Sequence, residues 1–161
     1  MSNHGPDDKP DHPGVIAPPP LIYLGFLGLG FLLEWVLPVA SHVATSPRYW
    51  LAYGLAGGGV AIALTAFREF RRAETNVLPH KPTTAIIASG PFAYTRNPLY
   101  VALALFHGAI AIAAGNVWAL MLLAPALLVI HHGVIAREER YLEAKFGEEY
   151  TAYKGRVRRW Y

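Results

Sequence analysis

The sequence predicts an all-α protein: an integral membrane helical bundle of four transmembrane helices, followed by a C-terminal amphipathic helix at the membrane interface. Three observations predict it. Hydrophobic residues make up 53% of the 161 residues and charged ones only 16%, where a soluble domain carries about a quarter charged residues. The apolar residues gather in four runs, the pattern of membrane spans. The basic residues concentrate in one loop and in the C-terminal tail.

Residues 1–20 are rich in Pro, Asp and His and lack both the basic start and the small-residue cleavage site of a signal peptide. They are expected to form a disordered tail, with His4 and His12 solvated rather than metal-bound. Residues 21–161 are expected to form one domain. The first span covers residues 21–39 and contains Glu34; the second covers 50–67. The third covers 99–114, and Pro98 suits its first turn and extends it to 98. The fourth covers 117–135. Only Gly115 and Asn116 separate the last two runs, so they must form a tight antiparallel hairpin whose far ends lie together.

Gly54 and Gly58 give the second span a Gly-x-x-x-Gly spacing, with Gly57 and Gly59 beside them. Small residues let helix backbones approach closely in lipid, so packing is the expected role, and the same face would suit a second copy in a homodimer. The loop 68–98 and the tail 136–161 hold most of the 14 basic residues. That bias makes their side cytoplasmic. Four spans then place both termini in the cytoplasm of a cell whose inner membrane carries the protein. The net charge of +3 does not point to nucleic acid, because the basic residues flank apolar runs.

In the tail, Leu142, Phe146, Tyr150, Tyr153, Val157 and Trp160 recur at steps of three and four, which is one apolar helix face. Gly147 and Gly155 are expected to interrupt it. Two roles fit: an anchor on the membrane surface, or a lid over a cytoplasmic pocket.

The chemistry is expected where the hairpin's ends meet. Arg96 stands at the entrance of the third span, where it would either snorkel to phosphates or fix an anionic ligand group. The free N–H groups of a helix starting at Pro98 add to that attraction. Glu138 and Glu139 follow the fourth span, about 100° apart on a helix, so that one can face the bundle. Glu138 in a pocket would bind hydroxyls or an ammonium group. His107, His131, His132 and Glu34 are ionisable groups at or near membrane depth; a neutral, hydrogen-bonded histidine is the plainer account of each. With no cysteine, thiolate metal sites and thiol nucleophiles are excluded, and no metal is expected. No Gly-rich phosphate loop, His-Glu-x-x-His or Gly-x-Ser-x-Gly occurs.

Thr75-x-Val77-x-Pro79, Ser89-Gly90-Pro91-Phe92, Arg96-Asn97-Pro98-Leu99-Tyr100, Glu138-Glu139, Phe146-Gly147-Glu148-Glu149-Tyr150 and Tyr153 together resemble the isoprenylcysteine carboxyl methyltransferase family. The related phospholipid methyltransferases, including small bacterial members, share the pattern. The resemblance covers residues 67–161. It implies a membrane methyltransferase that uses S-adenosylmethionine and a lipidic small-molecule substrate. Matched position by position, it places cofactor contacts on Thr84, Ile86, Ile87, Phe92, Asn97, Pro98, Tyr100 and Glu138. Arg96 would orient charge on cofactor or substrate. An amine acceptor must lose a proton, which makes His131, His132 or Glu139 the candidate base; a carboxylate acceptor needs none. Arg96, Glu139 and His132 are therefore the catalytic candidates.

Two departures stand out. Asn97 replaces a histidine common in the family, and Val134 stands where the prenylcysteine enzymes carry an arginine for the substrate carboxylate. A carboxyl methyltransferase of prenylcysteine type and a phospholipid N-methyltransferase both remain open. So do a membrane reductase using NADPH, since sterol reductases resemble the same motif and aromatic tail, and a non-catalytic membrane scaffold.

Overall fold

The computed structural model describes residues 13–39, 45–75 and 83–160, and those residues fold as helices and connecting turns with no β-strand. Helix α1 is Pro19–Val36, α2 is Thr45–Arg72, α3 is Pro98–Ala114 and α4 is Val117–Ile130. A wide π turn, His131–Ile135, joins α4 to α5, Ala136–Phe146, so that Val117–Phe146 is one 30-residue helix. After Gly147 comes α6, Glu148–Arg156. Three helices are long and apolar enough to cross a membrane: α1, α2 from Pro47, and the α4–α5 rod. Helix α3 has 17 residues, about 25 Å at 1.5 Å per residue, somewhat short of the ~30 Å hydrocarbon core.

The hairpin forms as its two-residue connection requires. Gly115 ends α3 with φ 65°, a left-handed conformation that glycine adopts without strain. Asn116 then caps α4: its Oδ1 accepts from the Ala119 N–H at 2.8 Å, and its Nδ2 donates to the Gly30 carbonyl of α1 at 3.3 Å. Helix α4 packs chiefly on α1, and α3 chiefly on α2. Where α1 crosses α4, a Cβ built on Gly30 would lie 2.4 Å from Ala119 Cα, so only glycine allows that approach. His107 fastens the same layer from α3, with its Nε2 2.8 Å from the Ala119 carbonyl and its ring edge-on to Tyr23.

Several expectations change in detail. The second apolar run, 50–67, is the middle of a longer helix that carries Glu69, Arg71 and Arg72 on its last turn and a half. Of its glycines, Gly59 meets Phe106 of α3 and Gly58 touches Leu105, whereas Gly54 and Gly57 meet nothing within 4 Å among the described residues; the packing contact inside the chain is made by Gly58 and Gly59. Gly147 breaks the tail into two helices with φ 54°, but Gly155 lies inside α6, because one glycine lowers helix propensity without forbidding the helix. Residues 13–20, expected within the tail, pack: Val15 and Ala17 join the core of Ile22, Tyr23, Ala126, Ile130, Val134 and Ile135, and Ile16 sits against Gly133. His4 and His12 lie outside the described residues.

Candidate active site

The site is assembled at the end of the bundle where α2, α3 and α5 converge. Its entrance is shaped by the turn Gly90–Ala93. Gly90 has φ 58°, and a Cβ there would meet Glu69 Cγ at 2.9 Å. Glu69, buried on α2, accepts a hydrogen bond from the Ser89 hydroxyl and pairs with Arg72 at 2.8 Å. The turn is thereby tied to α2 and presents Phe92, which meets Phe70 edge-to-face at 5.3 Å.

The C-terminal segment closes over this turn. Tyr153 donates its phenol to the Phe92 carbonyl at 2.8 Å. The Arg96 N–H donates to the Arg158 carbonyl at 3.0 Å. The Asn97 amide and the Thr95 hydroxyl both donate to the Arg159 carbonyl, at 2.8 and 3.1 Å. Burial pushes the Tyr150 phenol up to about 12 and the Tyr153 phenol further, so both stay protonated donors near neutrality.

Tyr100, on the first turn of α3, donates to Glu138 Oε1 on α5 at 2.6 Å. The two ends of the α3–α4–α5 hairpin therefore meet, as the two-residue turn requires. Glu139, the next residue, is buried at 5% exposure and holds two guanidiniums. Arg159 forks onto both of its oxygens at 2.9 and 2.5 Å. Arg96 Nη1 lies 3.0 Å from Oε1, a charge contact without hydrogen-bond alignment, and Arg96 Nε has no partner among the described residues. The Arg96 side chain is only 9% exposed.

Arg96, Tyr100, Glu138 and Glu139 line a cavity of about 490 Å³, within the size range of small-molecule sites. Its polar end carries Arg96, Asn97, Tyr100, Glu138, Glu139, Tyr150 and Tyr153. Its apolar limb runs between Ala63, Phe67 and Phe70 of α2 and Leu99, Ala102, Leu103 and Phe106 of α3. Ile86, Ile87, Phe92 and Pro98 also line it. Nine of the eleven residues expected to bind or react line the cavity; Thr84 and His132 do not. Thr84 is exposed and donates its N–H to Thr75 Oγ1, while its neighbours Thr83 and Ala85 line the wall. His132 is exposed on the outer face of the π turn, against the His131 ring, and does not line the cavity where a base would have to reach its proton. Glu139 lines the cavity, with Arg96 and Arg159 both against its carboxylate oxygens.

The chain matches the family model described as phospholipid methyltransferase over residues 47–149, more than half its length. The chain belongs to the phospholipid methyltransferase family. A protein of Haemophilus influenzae described as uncharacterized is 65% identical over 34 residues, which are 21% of this chain and 54% of that one; the match thus spans about half of that relative's length. No solved structure matches. Membership makes the protein a methyltransferase relative of the membrane, in keeping with its apolar helices.

Reasoning from sequence missed Arg159, Glu69 and the walls of the apolar limb. Arg159 sits in a tail rich in basic residues, where one more arginine carries no signal of its own. Ala63, Phe67 and Phe106 lie in helices apolar nearly all round, so periodicity does not single out an inward face. The position read as departing from the prenylcysteine enzymes, Val134, is fully buried in the core.

Proposed function

We propose that the protein is an S-adenosylmethionine-dependent methyltransferase that modifies a lipidic acceptor at the cytoplasmic face of a membrane. One observation carries this reading: a single cavity presents the buried, incompletely paired Arg96 guanidinium and the Tyr100–Glu138 pair at the head of an apolar limb. The residues fit the cofactor's chemistry. Arg96 suits a carboxylate through its fork of donors. Glu138 suits ribose hydroxyls or an ammonium, with Tyr100 fixing its orientation. Ile86, Ile87 and Phe92 offer an apolar wall for a flat base.

S-adenosylmethionine, when bound, supplies an already activated methyl group. The chain's own residues then have to position the reactants and exclude water, and orientation alone can lower the barrier by ~7–11 kcal/mol. The limb between α2 and α3 would receive the acceptor's hydrocarbon tail and leave its reactive headgroup beside Glu138. Tyr150 and Tyr153 roof the polar end. For an amine acceptor, the proton would pass toward Glu138, because Glu139 is held by Arg96 and Arg159. An amine is the acceptor we favour over a prenylcysteine carboxylate: Val134 is sealed in the core, so position 134 offers the cavity no cation.

The test is incubation of the purified protein with labelled S-adenosylmethionine and native membranes, followed by mild base. Label stable in a lipid headgroup supports N-methylation, whereas volatile methanol marks a carboxyl ester. Glu138→Ala and Arg96→Ala are expected to abolish transfer while expression persists; normal methylation by both variants removes the proposal. Titration with NADPH alongside separates the reductase reading.

A further inference from the structure

We infer that Arg159 is a positioning residue that keeps Arg96 available for an anionic ligand group by occupying the carboxylate that would otherwise quench it. The inference rests on the proposed reading that Arg96 takes the carboxylate of S-adenosylmethionine.

Three charged groups from three parts of the chain meet here: Arg96 before α3, Glu139 on α5 and Arg159 after α6. Arg159 satisfies both Glu139 oxygens with a planar fork, the strongest geometry a carboxylate accepts. Its third nitrogen is held as well, 2.6 Å from His131 Nε2, and the next residue, Trp160, stacks on that ring at an interplanar angle of 20°. Arg159 therefore has little freedom to let go. Arg96 is left beside Glu139 at 3.0 Å without a hydrogen bond from Nε or Nη1. Buried donors without partners are costly, and these line the cavity.

Within this trio, one carboxylate between two guanidiniums leaves a single net positive charge, and Arg96, which has Tyr150 beside it but is bonded to Glu139 less completely than Arg159, is the one that presents it to the cavity. Without the Arg159 guanidinium, Glu139 is open on both oxygens and Arg96 is already within ion-pair distance. The side chains of Arg96 and Glu139 are 9% and 7% exposed, so solvent and salt screen their attraction weakly. Arg96 would then turn to Glu139 and the cluster would present no net charge. The stitches that dock the C-terminal segment use the backbone carbonyls of Arg158 and Arg159, which a side-chain substitution leaves in place.

The experiment measures equilibrium binding of S-adenosylmethionine and of its decarboxylated analogue to the full-length protein in detergent. Arg159→Gln is expected to weaken S-adenosylmethionine binding by about tenfold or more, the value of one charge-assisted hydrogen bond, and to leave the analogue's affinity nearly unchanged. Adding Glu139→Gln to Arg159→Gln removes the competing carboxylate and is expected to restore most of the lost affinity. Arg159→Gln binding S-adenosylmethionine like the wild type overturns the inference, as does equal loss for both ligands. If Arg159→Gln does not fold, the double variant decides: binding comparable to wild type supports the inference, and absence of recovery sinks it. Wild-type protein that binds neither compound overturns the cofactor reading itself, a result distinct from all of these.

Discussion

The phenol of Tyr100 meets Glu138 at 2.6 Å, and removing that single hydroxyl tests the polar end of the cavity with the least disturbance. Tyr100→Phe leaves the carboxylate short of a donor and free to turn. Labelled methyl transfer is expected to fall about ten- to hundredfold, the worth of a hydrogen bond to a charged group, with the protein still folded. Two glycines make a second pair of residue-scale tests. Gly90 combines φ 58° with Glu69 Cγ 2.9 Å from a would-be Cβ, so Gly90→Ala is expected to destabilise by about 1–3 kcal/mol. Gly155 lies inside α6 with nothing within 4 Å of its would-be Cβ, so Gly155→Ala is expected to stabilise by about 0.5–1 kcal/mol. Thermal midpoints in detergent, read side by side, check the opposite signs. The motif residues at this scale were legible because polar groups beside apolar runs are conspicuous. Arg159 was not, because its meaning comes only from Glu139, a residue 20 positions away.

Among the elements, the decisive contact is the crossing of α1 and α4 at Gly30 and Ala119. The nearest atoms to a Cβ on Gly30 are Ala119 Cα at 2.4 Å and Ala119 N and Cβ at 2.7 Å, which are fixed to the backbone of α4 and cannot step aside as a side-chain tip can. Gly30→Val is therefore expected to separate α1 from α4 and to destabilise by about 1–3 kcal/mol or more. Gly25→Val, where nothing lies within 4 Å, is the control expected to be nearly neutral in the same melting assay. Asn116→Ala should cost about 1 kcal/mol for the lost cap of α4 and also remove the bond to the Gly30 carbonyl that ties α4 to α1. Helix existence was readable from the apolar runs; partners were not. Helices that are apolar on every side carry no moment to say which neighbour they face, and of the four glycines on α2 it is Gly58 and Gly59, not Gly54 and Gly57, that meet α3.

At the scale of the whole molecule, the C-terminal helix and segment are what turn a hairpin end into an enclosed cavity. Tyr150 and Tyr153 are buried in that closure. Their folded-state values lie above the ordinary tyrosine value of about 10, with burial the chief cause. A group whose value is raised on folding contributes stability that is whole below its unfolded value and lost as pH rises through the folded one. The docked tail is therefore expected to hold at neutral pH and to loosen from about pH 10 upward, with Tyr150 giving way near 12. Tyrosinate absorbance should show a late-titrating class, and proteolysis of α6 should begin in the same range; a full complement of phenols titrating near 10 would contradict the closure.

The sequence by itself determined the helical class, the tight turn at Gly115 and Asn116, and the meeting of Tyr100 with Glu138, because hydrophobic runs and a two-residue connection leave the chain no other geometry. Tertiary structure alone decided which faces pack, that Glu139 lies between the Arg96 and Arg159 guanidiniums, and that His132 looks outward. Those depend on rotation about each helix axis and on contacts between distant segments, and an apolar helix leading into a π turn does not write its rotation in the order of its residues.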